Sequence, residues 1–500
     1  MPLPTHFDTQ NIANKKQAII VGSGVGGMAI AIRLAIKGYT VTVFERNAYP
    51  GGKLSAFEQN GYLFDAGPSL FTQPANIVEL FELAGEPIQN NFEYEKIPIA
   101  CRYFFEDGKI INAYTDKNLF AQELQQVVGE NPKAVIDYLQ TAERAYLSIG
   151  NIFLHFSLHK MNTWFHNRIF GAIRATKLGF LTSSMHQFHT KKFKSAHTIQ
   201  LFNRFATYNG SNPYQAPAML SMIPHLEQNE GTFYPKGGMI SITNALHNLA
   251  VKLGVTFEFN ASVDQITHEN GNVTGVFVSG KHVAAPLVVT NADVYYLYRD
   301  LIQFPKAAAK TLKRERSSSA LIFYWGIKKE FPQLLLHNIF FSDNYAEEFK
   351  QLFETKTIID DPTVYINITA KQEPGQAPLG KENWFVMINA PADEGQNWVE
   401  MHQIVKANVI KKLSRILGED ISESIETEHI LDPKGIESQT QSYKGSLYGT
   451  SSNSPWAAFL RHPNFSTSLK GLYCTGGSVH PGGGIPLSLK SAKIVSELIQ

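Results

Sequence analysis

The amino-acid sequence predicts an α/β protein: a first domain on a parallel sheet assembled from separated segments, a second domain on a mixed sheet, and a helical lid. Three stretches predict it. "KQAIIVGSGVGGMAIAIRLAIKGYTVTVFERN" (16–47) reads as strand, glycine turn, helix, strand. "GVTFEFNASVDQITHENGNVTGVFVSGKHVAAPLVVTNAD" (254–293) alternates as further strands, with a hairpin turn at Asn270-Gly271. "GGSVHPGGGIPLSLKSAK" (476–493) supplies another glycine-rich turn and an apolar helix, far along the chain.

The first stretch carries chemistry in its spacing. Ala18–Val21 is a short apolar run suited to a buried parallel strand. Gly22, Gly24 and Gly27 complete G-x-G-x-x-G. The first permits a tight turn, the second lets backbone approach a pyrophosphate, and the third allows close helix–strand packing. Met28, Ile32, Ala35 and Ile36 give the helix an apolar face, and Gly38 ends it. The helix N-terminus offers unpaired N–H groups to phosphates. Val41–Phe44 forms the next strand and delivers Glu45, 21 residues after Gly24, where a carboxylate can accept from ribose hydroxyls. These features leave NAD and FAD unseparated.

Composition bounds the rest. Five hundred residues exceed one simple core, and 43% hydrophobic against 18% charged residues is a globular balance. A net charge of +1 excludes polyelectrolyte character. Cys101 and Cys474 lie far apart without metal-ligand spacing, which points to a reducing compartment, no disulfide framework and no metal site. The N-terminus lacks an apolar signal region, and no run approaches 18 apolar residues, so the expected location is cytoplasmic.

The continuation after Glu45 is specific. In "RNAYPGGKLSAFEQNGYLFDAGPSLFTQP", Arg46, Pro50-Gly51-Gly52-Lys53 and Asp65-Ala66-Gly67-Pro68-Ser69 resemble the amine oxidase and carotenoid desaturase group of FAD enzymes. The resemblance implies FAD as cofactor and a Rossmann-type FAD domain. "GTFYPKGGMISITNALHNLA" (231–250) is similar to the group's Y-P-x-G-G-M segment, and "VVTNAD" and "GIESQTQSYKGSLYGT" (435–450) to later returns toward the flavin. Carried over residue by residue, the resemblance implies FAD contacts from Gly22, Ser23, Gly24, Gly26, Gly27, Glu45, Arg46, Gly52, Lys53 and Leu54. It adds Gly67, Pro68, Ser69, Leu70, Val263, Asn291, Leu431, Gly477, Gly484 and Ile485. Lys53 stands where many relatives have Arg, so a point charge replaces a bidentate fork.

Between these segments, "YFFEDGKIINAY" (103–114) reads as a hairpin about Asp107-Gly108. "SSSALIFYWGI", "PTVYINITA" and "NWFVMINAP" read as strands, and Trp398–Leu417 as a helix. The expected division is FAD-binding segments at 1–80, 227–300 and 435–500, substrate-domain segments at 81–143 and 301–434, and a lid at 144–226. From Arg144 to Leu226 there is no Asp or Glu, against nine Lys/Arg and seven of the sixteen histidines. Phe153, Phe156, Trp164, Phe165, Phe170, Phe180, Phe188 and Phe193 recur there. Such a stretch is either a solvated basic face or an interfacial surface, with aromatics in lipid and cations at anionic headgroups. No nucleic-acid module accompanies it.

"GLYCTGGSVHPGGGIPLSLKSAK" resembles the terminal motif of phytoene-desaturase-type carotenoid oxidoreductases, and with "GPSLFTQP" it is most similar to the hydroxycarotenoid 3,4-desaturases. The resemblance implies C-3,4 desaturation of a 1-hydroxylated carotenoid, with hydride passing to flavin N5. Oxygen or a membrane quinone would accept the electrons, because no second nucleotide motif is visible. The insoluble substrate gives 144–226 a purpose: a membrane-facing lid on a protein held at the inner face of the membrane. His480 is the catalytic candidate, weighed against a loop-fixing role. The alternatives are a multistep carotene desaturase, a carotenoid isomerase, a flavin amine oxidase and a non-enzymatic lipid-binding flavoprotein. A di-iron desaturase built on His155/His159 and His186/His189 would need spanning helices, so those residues are expected to be surface or lid histidines.

Overall fold

The computed structural model describes residues 16–157, 159–160, 183–454, 457 and 461–499. Trp164, Phe165, Phe170 and Phe180 of the basic segment lie outside the described residues.

Five parallel strands form one sheet in the order Leu472–Cys474, Leu287–Thr290, Gln17–Val21, Thr40–Phe44, Thr256–Glu258. Its central strand is apolar and buried from Ala18 to Val21 because both faces are covered there. Ala18 and Ile20 face a helical layer containing Met28, Leu246 and Val495, from helices Val25–Ile36, Ile240–Lys252 and Ile485–Leu498. Ile19 and Val21 face Ile266, Val276 and Val288, joining the sheet to the antiparallel meander Val263–Glu269, Asn272–Val278 and Lys281–Ala284. A Cβ on Gly27 would meet the Gly22 carbonyl at 2.1 Å, so only glycine lets the first helix start this close to its turn.

The second sheet has seven strands: Ile425–Leu431, Ser319–Ile327, Glu382–Ala390, Val364–Ile368, His337–Phe340, Ile99–Phe104 and Ile110–Tyr114. Its pairs are antiparallel except His337–Phe340 against Ile99–Phe104. Alternation assigns the two faces. Leu321, Phe323, Trp325, Ile366, Val386 and Ile388 pack with Val405, Val409 and Leu413 of helix Trp398–Leu417. Trp325 and Trp384 are fully buried, and their indoles donate to Glu428 and Glu382 at 2.7 Å each. Ile322, His337, Ile339, Tyr365, Phe385 and Met387 are left on the opposite face, toward a cavity.

Helices Lys117–Val128, Pro132–Ala145, Met185–Thr190 and Ala196–Asn203 pack about Tyr138, Phe202 and Leu201 beside that sheet. Here the structure corrects two expectations. His189 is a core residue, not a surface or lid histidine: Tyr138 Oη, Asn203 Oδ1 and Ser221 Oγ surround its ring at 3.0, 2.8 and 3.1 Å. Burial holds it neutral and lowers its pKa to about 4. His155, His159 and His186 are half-buried. Nor is the segment's positive charge all on the surface, because Arg204 is buried against Glu227, the first acid beyond the acid-free window. Among the described residues, no helix is long and apolar enough to cross a membrane.

Candidate functional site

The carboxyl ends of the parallel strands meet at a floor of bare backbone, the position where open α/β sheets bind ligands. Glu45 is fixed across the first two strands: its Oε2 accepts from Ser23 N and Ser23 Oγ at 2.8 Å, and its Oε1 from Asn47 N at 2.9 Å. Asn291, at the end of the Leu287–Thr290 strand, sits between two glycine turns. A Cβ on Gly24 would lie 2.4 Å from its Oδ1, and one on Gly476 would lie 2.3 Å from its Nδ2. Asn291 Nδ2 also donates to the Thr475 carbonyl at 3.1 Å. This one amide holds the first and last glycine turns together.

The second glycine segment joins the same floor, where Gly51 bridges Gly24. A Cβ on Gly67 would meet the Lys53 carbonyl at 1.7 Å, so these two stretches touch backbone to backbone. Asp65 of the D-A-G-P segment does not face the cavity. It accepts from Met239 N and Ile240 N at 2.8 and 3.1 Å, at the N-terminus of helix Ile240–Lys252, and burial raises its pKa to about 6. Lys53 Nζ donates to the Leu447 carbonyl at 2.8 Å. Burial draws its pKa down to about 8, against the pull of Asp293 and with the repulsion of Arg316.

A cavity of about 700 Å³ lies on this floor and continues under the seven-stranded sheet. Gly22, Gly24, Gly26, Glu45, Arg46, Gly52, Lys53 and Leu54 line it, as do Gly67, Pro68, Ser69 and Leu70. Val263, Asn291, Leu431, Gly477, Gly484 and Ile485 complete the expected set on its wall. Ser23 and Gly27 are buried behind that wall, supporting Glu45 and the first helix. His480 is also behind it: Pro481 lines the cavity, while the buried His480 ring places Nε2 2.9 Å from the Phe156 carbonyl. Its own carbonyl accepts from Asn464 Nδ2 at 2.7 Å, and burial lowers the ring's pKa to about 4. Its contacts are those of a loop-fixing residue.

The donor set suits a dinucleotide. It offers a floor without Cβ atoms, a fixed carboxylate, and two helices, Val25–Ile36 and Ile485–Leu498, that begin at cavity-lining glycines. Sequence reading missed the outer wall. Ala100, Phe153, Leu154, Met222, Ile339, Phe385 and Met387 make it largely apolar. A buried polar group interrupts it, in which Arg204 Nη2 donates to Tyr103 Oη at 2.7 Å and to Glu227 Oε2 at 3.2 Å. Burial opposes charge on Arg204, but facing Tyr103 and Glu227 carries its pKa above the ordinary range. Beside it, His337, Tyr365 and Ser69 form a hydrogen-bonded chain. Alternation in "HNIF" and "VYINI" was the available signal, since it puts His337 on the face of Ile339 and Tyr365 on the face opposite Val364 and Ile366. Burial pushes the Cys101 thiol up to about 12, which makes it a wall atom and not a nucleophile. Among the described residues, no cluster of His, Cys, Asp or Glu could hold a metal ion.

Comparison with known proteins agrees with this geometry. The family model described as "Flavin containing amine oxidoreductase" matches residues 25–500. The chain is 51% identical to the 1-hydroxycarotenoid 3,4-desaturase of Flavobacterium sp. (strain P99-3), over 97% of this chain and 99% of the relative. It is 31% identical to the 4,4'-diapolycopene oxygenase of Methylomonas sp, over 98% and 99% of the two chains. Among solved structures, an oxidoreductase from Methanosarcina mazei shares the fold with a TM-score of 0.63 at 14% identity, covering 97% of this chain and 100% of that one. Putrescine oxidase bound to putrescine does so with a TM-score of 0.63 at 13% identity, covering 97% and 99%.

Proposed function

The chain belongs to the flavin-containing amine oxidoreductases, and from that membership we propose that it is an FAD-dependent carotenoid desaturase. Its substrate in this reading is a 1-hydroxylated carotenoid, and its product carries a new double bond at C-3,4. The observation that carries the substrate is the 51% identity, over 97% of the chain, to a relative named for that reaction. The cavity supports it, because one space joins the glycine floor to an apolar and aromatic wall.

The residues that line the floor would hold the cofactor. Gly22, Gly24, Gly26, Gly52 and Gly67 would admit its backbone-hugging pyrophosphate, Glu45 its ribose, and Gly477, Gly484 and Ile485 the opposite side. Arg46, Lys53, Leu54, Pro68, Ser69, Leu70, Val263, Asn291 and Leu431 complete that set, with Ser23 and Gly27 acting from behind. When bound, FAD supplies the acceptor for a hydride drawn from a carbon next to the polyene. The protein's part is to align that carbon, exclude water with Phe153, Leu154, Met222, Phe385 and Met387, and match the polyene's shape. His480 is not given the proton, since its ring stands behind the wall.

The described part of 144–226 serves as the lid in this reading. It contributes Tyr146, Phe153, Leu154, Leu220 and Met222 to the cavity, while Lys191, Lys192 and Lys194 are exposed outside it. These cations would meet anionic headgroups as substrate enters from the bilayer, and oxygen or a quinone would reoxidise the cofactor. Reversing the three lysines to Glu should release the protein from vesicles containing anionic lipid. Unchanged binding would remove the membrane role.

The reaction is tested by mixing the FAD-loaded protein with a 1-hydroxycarotenoid without oxygen. The expected result is stoichiometric bleaching of the flavin and a product lacking two hydrogens, absorbing at longer wavelength. A product that gains oxygen in air, an isomer formed without bleaching, or no change would each overturn the reading.

A further inference from the structure

The cavity wall contains a hydrogen-bond donor that meets no acceptor among the described residues. His337 begins strand His337–Phe340, directly opposite Asn367 in the register with strand Val364–Ile368. The ring is 2% exposed. Its Nδ1 meets Asn367 Nδ2 at 3.1 Å and Tyr365 Oη at 2.8 Å. Asn367 Nδ2 also donates to the Leu336 carbonyl at 3.1 Å, which fixes that amide with its NH2 toward both partners. A protonated Nδ1 would then face another donor, so Nδ1 accepts. Burial, aided by the Arg204 charge, keeps the ring neutral and lowers its pKa to about 3. A neutral ring that accepts at Nδ1 carries its hydrogen on Nε2.

That Nε2 is buried, and no atom among the described residues accepts from it. Tyr345 Oη, in the same cavity, is also buried with no hydrogen-bond partner among the described residues. Both line the cavity that Arg204 also lines. A buried polar group that nothing meets is costly, so two of them in a largely apolar wall call for a ligand atom. A ligand hydroxyl suits either one, since it accepts from His337 Nε2–H or donates to Tyr345 Oη. Their position fits such a group. Ser69, 2.8 Å from Tyr365 Oη, links His337 to the glycine floor, and in a 1-hydroxy-3,4-desaturation the hydroxyl carbon stands only two bonds from C-3. The hydroxyl must therefore lie beside the reacting bond, not at the remote end of the polyene.

We propose that His337 supplies the subsite for the tertiary hydroxyl of the substrate and sets its position relative to the bond being oxidised. This rests on the carotenoid reading above. His337 has no free lone pair, since Nδ1 is engaged and Nε2 is protonated, so it is a positioning and specificity residue and not a base.

The test uses FAD-loaded protein and two ligands: a 1-hydroxycarotenoid and the same polyene with hydrogen in place of the hydroxyl. Binding is read from the carotenoid absorption shift, and product from chromatography. His337→Asn keeps the inner contact to Tyr365 and Asn367 but falls short of the cavity, whereas His337→Gln restores a donor near Nε2. We expect His337→Asn to weaken the hydroxylated ligand about tenfold to a hundredfold, leave the deoxy ligand unchanged, and be rescued by His337→Gln. Equal weakening of both ligands, or no weakening of either, would overturn the subsite. Preferential, His337-dependent binding of the hydroxylated ligand without desaturation would uphold the subsite and sink the desaturase reading. Desaturation of both ligands with equal affinity would do the reverse.

Discussion

Replacing Arg204 by Met should expose how the cavity's polar wall is held together. The side chains of Arg204 and Glu227 are only 10% and 2% exposed, and two Arg204–Glu227 contacts, at 3.2 and 3.4 Å, tie the pair. The guanidinium also donates to Tyr103 at 2.7 Å and lies 4.6 Å from the Phe205 ring centroid. Met fills similar volume but leaves the Glu227 carboxylate buried without its cation. Removing one partner of a buried pair costs about 3–5 kcal/mol, whereas replacing both by apolar side chains is often near neutral. With an unfolding entropy of about 2.1 cal/mol/K per residue, a chain of this length loses about 3–5 °C in its unfolding midpoint for that cost. Thermal unfolding of the FAD-saturated protein at pH 7.5, followed by tryptophan fluorescence, measures it. Arg204→Met alone should show the drop, and Arg204→Met with Glu227→Met should recover most of it. A double variant as unstable as the single one would refute the account, because the loss would then come from packing and not from an uncompensated charge.

Three further outcomes follow from the site. Gly67→Ala forces a methyl against the Lys53 carbonyl, 1.7 Å from an ideal Cβ, and overpacking of about 1–3 kcal/mol should lower the flavin-to-protein absorbance ratio of purified enzyme. An unchanged ratio would show that the two segments move apart freely. His189 has its pKa lowered to about 4 by burial, so it contributes stability above pH 6.5 that is lost as pH falls toward 4. The stability gap between wild type and His189→Gln, from denaturant titration, should shrink by about 1.4 kcal/mol per pH unit across that window. Lys53 titrates near pH 8 when the cofactor's charge is absent, so a bound anion should draw a proton onto it. FAD affinity, measured by fluorescence quenching, should therefore weaken as pH rises above 8, and Lys53→Arg should abolish that slope.

Local patterns carried far into this fold. Helix Trp398–Leu417 coincides with its sequence reading residue for residue, since it depends only on its own period and its own end signals. The glycine floor was legible for a related reason: backbone that must approach a ligand excludes Cβ atoms, which marks the sequence directly. Pairings over long distances left no such mark. Nothing in "HNIF" says that it lies parallel to Ile99–Phe104, and that placement puts His337 on the cavity wall. Arg204 looked like surface charge because its partner falls just outside the acid-free window, and adjacency in a core is not written as adjacency in a count. His480 stayed ambiguous in the sequence because its decisive neighbour, Phe156, belongs to another segment altogether.

The separated segments of the parallel sheet also bear on how the protein is made. Strand Leu287–Thr290 leaves the ribosome about 180 residues before its outer neighbour, Leu472–Cys474, exists. At about 5–20 residues per second, its edge stays open for about 10–40 s. Over the same interval helix Val25–Ile36 lacks the cover of helix Ile485–Leu498, against which it packs. An open apolar edge and an uncovered apolar helix on a tethered nascent chain are aggregation templates. Yield in a foreign host should therefore depend on holdase chaperones available during synthesis, and cofactor supply can help only after the last helix has docked.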